Sequence, residues 1–74
     1  MTGFERLSAT MKRNWETIEE LIDRLDEMGF TIESHQSDAI CCTYPEEDGA
    51  GRYDICFFDE TPIEIYRIGF YGIG

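Results

Sequence analysis

Seventy-four residues carry sixteen acidic and six basic side chains, a net charge of −10. That length allows one domain, residues 1–74, with a thin core, and the charge excludes direct binding to nucleic acid or an anionic membrane, whose phosphates such a surface repels. No apolar run approaches the ~20 residues of a membrane span, the start Met-Thr-Gly-Phe-Glu-Arg lacks a secretion-signal pattern, and 42% hydrophobic content argues against disorder. The expected location is the cytoplasm.

The chain opens on a helical pattern. Phe4, Leu7, Met11, Trp15, Ile18, Leu21, Ile22, Leu25 and Met28 recur every three or four residues, which is the spacing of one helix face. It predicts one long helix over about residues 3–28. Thr2 and Glu5 have the capping-box spacing. At the other end Gly29 suits the left-handed position after the helix, with Phe30 and Leu25 as the contact pair of a Schellman ending. The alternative is a break near Ser8 to Thr10 that leaves a shorter main helix.

On a wheel of 100° per residue, Glu16, Glu19, Glu20, Asp23, Asp26 and Glu27 fill a wedge of about 120° opposite the apolar stripe, along roughly 16 Å of helix. Arg24 stands at its edge. Glu16 with Glu20, Glu19 with Asp23, and Asp23 with Glu27 are like-charge pairs at i, i+4, which weaken a helix. Asp23, Asp26 and Glu27 also crowd the end where the macrodipole favours cations. The row Glu16, Glu20, Asp23, Glu27 repeats at about 5–6 Å, comparable with phosphates along one strand of nucleic acid. A merely solvated face is the competing explanation.

From Phe30 the period shifts to alternation. Strands are expected over 30–36, 39–44, 52–58 and 63–68, with turns at Ser37-Asp38 and Asp59-Glu60-Thr61-Pro62 and a loop over 45–51. Phe70, Tyr71 and Ile73 extend the last strand or form an irregular tail. Short connections favour an antiparallel meander, so the fold class is α+β: one long helix on a four-stranded sheet, spanning about 30–71. Ile40, Cys42, Tyr44, Tyr53, Ile55, Phe57, Ile63 and Ile65 share one face, against which the helix can lie, and the alternate set on each strand is apolar enough to leave the choice of inward face open. Cys56, Phe58, Tyr66, Ile68 and Phe70 are a surplus of apolar surface, which a homodimer or a partner would cover.

Chemistry-bearing groups are sparse. Adjacent Cys41 and Cys42 point to opposite faces of a strand; with Cys56 they fit reduced, packed thiols. No C-x-x-C pair joins them to His35, so no metal site is expected. The acidic run Glu46-Glu47-Asp48-Gly49 lacks the alternating ligands of a calcium loop. No nucleophile–base pair and no phosphate-cradling glycine motif is present, so neither catalysis nor a cofactor is expected. Tyr53, Tyr66, Tyr71 and Trp15 are core residues or interface anchors.

The expectation is therefore a binding role: an inhibitor or regulator whose helix face Glu16, Glu19, Glu20, Asp23, Asp26 and Glu27, joined by Glu46, Glu47 and Asp48, occupies the basic groove of a nucleic-acid-handling protein. Small size and acidity are shared with phage-encoded anti-CRISPR and anti-restriction proteins. The similarity is one of type, and no motif carries a family's residues across. An immunity protein or antitoxin, or a structural or assembly subunit, are the rival readings.

Overall fold

The computed structural model describes residues 3–46 and 49–72; Thr2, half of the expected capping box, lies outside them. Helices α1 (Gly3–Thr10) and α2 (Ile18–Glu27) precede strands β1 (Thr31–His35), β2 (Ala39–Glu46), β3 (Gly49–Phe57) and β4 (Ile65–Gly72). The sheet is antiparallel in the order β1-β2-β3-β4, the meander its short turns predict.

The single long helix is overturned. α1 ends at Thr10, where the alternative reading placed a break, and α2 starts eight positions on, at Ile18. Trp15 explains the interruption. Its backbone N–H and carbonyl bond to Ile63 at 2.9 and 2.6 Å, whereas in a continuous helix that N–H would bond the carbonyl of Met11. Its indole is buried, at 2% exposure, and Nε1 donates to the Thr10 carbonyl at 3.1 Å. A tertiary bridge thus takes the backbone groups that local propensity would have kept in a helix.

Each end of α2 has a local cause. Thr17 is extended and its hydroxyl accepts from the Glu20 N–H at 3.1 Å, an N-cap. Thr17 and Glu20 have the same spacing as Thr2 and Glu5, so the start of α2 was open to sequence reading. The Schellman ending holds as expected: Phe30 N–H donates to the Leu25 carbonyl and Gly29 N–H to that of Asp26, both at 3.0 Å. Gly29 has φ +99°, which only glycine adopts without strain.

Both helices lie on one face of the sheet. Leu7, Trp15, Leu21 and Leu25 meet Phe30, Ile40, Cys42, Tyr53, Ile55, Phe57, Ile63 and Ile65 in one buried cluster. Seven of the eight residues that alternation grouped on one face are buried there, and Tyr44 packs against the rim. Phe4 and Met11, which the stripe assigned to the core, are exposed; with the helix broken, α1 packs against β2 and β4 and α2 against β1.

The expected loop over 45–51 is largely strand. Pairing of β2 with β3 runs on through Pro45↔Ala50 to Glu46↔Gly49, and Gly51 pairs with Tyr44 on one side and Gly72 on the other. Neighbours on both flanks keep the backbone extended at Gly51. β1 stops opposite Thr43, so Pro45 sits where β2 has a partner on one side only, a position that tolerates a missing N–H.

Candidate functional site

The break in the helix sorts the acidic ridge into two rows. Arg13, in the segment between the helices, lies 3.9 Å over the Trp15 ring and reaches Glu20 at 2.6 Å. Residues seven apart in a continuous helix stand about 10 Å apart along the axis, so this contact exists because the helix ends. Arg24 pairs with Glu27 at 3.3 Å. Arg13, Arg24 and Glu27 line a cleft of about 390 Å³ beside Trp15. One flank of α2 is therefore of mixed sign, and the predicted row Glu16, Glu20, Asp23, Glu27 does not stand as a run of free carboxylates.

The other flank is different. Glu19, Asp23 and Asp26 are exposed at i, i+4 and i+7, one row on a helix. Glu16 precedes the Thr17 cap at the same end. Among the described residues no lysine or arginine pairs with Glu16, Glu19, Asp23 or Asp26. Glu19 lies in the first turn, where the helix N-terminus favours a carboxylate. Asp23 and Asp26 have no such local support.

This row continues onto a second segment that the sequence had assigned only to a turn. Asp59 and Glu60 follow β3, and with Glu16, Glu19, His35, Phe58 and Thr61 they line an open cleft of about 400 Å³. The Trp15–Ile63 bridge brings these distant stretches together: Glu16 is the next residue after Trp15, and Asp59 and Glu60 stand just before Ile63. The paired bridge residues are both apolar, and that was the available signal. The face that emerges is Glu16, Glu19, Asp23, Asp26, Asp59 and Glu60.

Glu47 and Asp48, expected to join the helix face, lie outside the described residues, as does the side chain of Glu46. The backbone still places Glu46 at the tip of the β2–β3 hairpin. Asp59 and Glu60 lie past the other end of β3, whose nine residues span roughly 30 Å. The hairpin tip and the cleft belong to opposite ends of the sheet.

The thiols are all free. Cys42 is fully buried, and burial, then the charges of Cys41 and Asp54, push its thiol up to about 12. Cys41 faces the opposite side of the sheet; partial burial, then a hydrogen bond to Asp54 and its charge, raise it above the ordinary thiol value. Neither is poised as a nucleophile. Among the described residues no group of three His, Cys, Asp or Glu side chains is placed to hold a metal ion. Of the four proposed aromatic anchors, Trp15 and Tyr53 are core residues, while Tyr66 and Tyr71 are exposed.

No helix among the described residues is long and apolar enough to cross a membrane. No protein-family model, curated protein or solved structure matches the chain significantly.

Proposed function

We propose that the chain is a small acidic protein-binding inhibitor or regulator that occupies a basic, nucleic-acid-binding groove of a larger protein, in the manner of anti-CRISPR and anti-restriction proteins. One observation supports this reading above the others: Glu16, Glu19, Asp23, Asp26, Asp59 and Glu60 form a face drawn from two segments, without a pairing cation on α2. A solvated helix gains from Glu-to-Lys pairs, and Glu19 with Asp23 is instead a like-charge pair at i, i+4. The arrangement costs local stability, and a bound cationic surface would repay it.

The carboxylates would accept charge-assisted hydrogen bonds from lysines and arginines of the partner. Attraction between the opposite charges speeds association at low salt and fades as salt rises. DNA or RNA would compete for the same groove, and no covalent bond would be made or broken.

The test replaces Glu19, Asp23 and Asp26 together with lysine and compares capture of partners from the native host at low and high salt, with duplex DNA as eluent. Capture should be lost in the triple variant and should be released by DNA from the wild type. A Glu20→Gln, Glu27→Gln control should change it little, because those carboxylates already hold arginines. Equal capture by a folded triple variant would refute the proposal.

A further inference from the structure

The two edges of the sheet are built differently. β1 is five residues long, carries Glu33 and is irregular between Ile32 and Ser34. Short length, charge and a bulge are the devices by which proteins keep a sheet edge from pairing with another chain. β4 has few of them. Its eight residues, Ile65 to Gly72, contain no proline and no carboxylate in a chain with sixteen. Arg67 is its one charge. Its irregularity, opposite Cys56 and Phe57, is confined to its start, and pairing with β3 is regular from Arg67 to Gly72. Among the described residues no strand lies beside the outer backbone edge of β4.

Beside the exposed Arg67, β4 presents large rings to solvent: Phe70 is 54% and Tyr71 50% exposed. α1 packs against β4 and leaves Phe4 exposed in the same helix layer. The acidic face is elsewhere, since α2 packs against β1 at the opposite edge.

We propose that β4 pairs antiparallel with β4 of a second copy, joining two sheets into one of eight strands about a two-fold axis at Gly69. Antiparallel partners lie on the same face of a sheet, so a self-pairing register centred on a residue keeps the helix layers of both copies on one side. With Gly69 on the axis, Arg67 stands opposite the partner's Tyr71, and Ile68 opposite the partner's Phe70. Both matches are favourable. A guanidinium meets an aromatic ring on the outer face, and two apolar side chains meet beneath the helices. Arg67 and Tyr71 already lean together over Gly69: a Cβ there would lie 3.8 Å from Arg67 Nη2 and 3.7 Å from Tyr71 Cε2. The occupant follows from this register, whose Arg67–Tyr71 and Ile68–Phe70 matches a second copy supplies twice about the axis. Two chains of net −10 repel, and the β4 edge is where they can meet with arginines and no carboxylates in the strands, while the two α2 helices stay at the far ends.

Light scattering and sedimentation on the intact chain test this. The wild type should show twice the 8.6 kDa of one chain, more completely at high salt, where repulsion is screened; this is the opposite salt trend to partner capture through the acidic face. Tyr71→Lys sets a lysine opposite the partner's Arg67 twice per dimer and should give a folded monomer by circular dichroism. Arg67→Glu added to Tyr71→Lys should restore the dimer through two new opposite-charge pairs. A wild type that stays monomeric at high salt overturns the proposal. So does a Tyr71→Lys dimer as tight as wild type, or a double variant that remains monomeric.

Discussion

Trp15 and Ile63 exchange two backbone hydrogen bonds, each donating to the other, and this contact ends the first helix and assembles the acidic cleft. Trp15→Ala should cost about 3–5 kcal/mol, the range for deleting a large buried aromatic. Trp15→Phe should cost less, leaving the Thr10 carbonyl without its indole donor. Urea unfolding checks both, and an alanine variant within 1 kcal/mol of wild type would show that the buried indole contributes little to the core.

Gly29→Ala should destabilise by about 1–2 kcal/mol, because φ +99° forces a Cβ against the following carbonyl. The new methyl would also stand 3.4 Å from Tyr44 Cε1. Thr17→Ala at the other end of α2 should cost about 1 kcal/mol through the lost bond to the Glu20 N–H. Unchanged denaturation midpoints in either variant would remove that terminus from the account of α2.

The acidic row predicts a trade between stability and binding. Asp23→Lys relieves repulsion with Glu19 and places a cation in the C-terminal half of α2, so it should stabilise by a few tenths of a kcal/mol. Added salt should likewise raise the melting temperature by screening the excess of negative charge. Calorimetry of wild type and variant across a salt series reads both effects. A variant less stable than wild type at low salt would mean that Asp23 has a structural partner.

Cys42 sets an alkaline limit. Its folded thiol is raised from 9.0 to about 12, chiefly by burial, so above pH 9 the unfolded chain loses this proton first. The folded state then holds more protons than the unfolded one, and stability falls as pH rises. The Cys42 contribution is complete below pH 9 and is lost between pH 9 and 12. Cys42→Ala should therefore show a flatter alkaline limb than wild type. In the native state at pH 8, Cys42 should also resist a thiol reagent that labels it after unfolding.

The strands were legible because alternation over Ile40-Cys42 and Tyr53-Ile55-Phe57 needs no partner to be read; which face is buried was not, because Cys56, Phe58, Tyr66, Ile68 and Phe70 make the alternate set apolar too. The end of α2 was legible for a similar reason, since Gly29, Phe30 and Leu25 are close in sequence. The helix break was not. Phe4 through Trp15 keep the helical period, and only a backbone pairing with distant Ile63 overrides it. The pairing of Arg13 with Glu20 was hidden for the same reason. A continuous wheel aligned Glu16, Glu20, Asp23 and Glu27 and left Arg13 a turn or more away, whereas the broken chain brings Arg13 to Glu20 and Asp59 to Glu16. Gly51 misled in the other direction, because composition marks a turn more readily than it marks a strand position with neighbours on both sides.

The sheet order has a consequence for how a partner would meet the molecule. With α2 at the β1 edge and Arg67 at the β4 edge, one copy is electrically lopsided, and a lopsided body turns in an external field before it touches anything. Joined through β4, two copies would cancel that asymmetry and point their carboxylates outward at both ends. Such an assembly could grip two cationic sites at once, and its hold would depend on the distance between them.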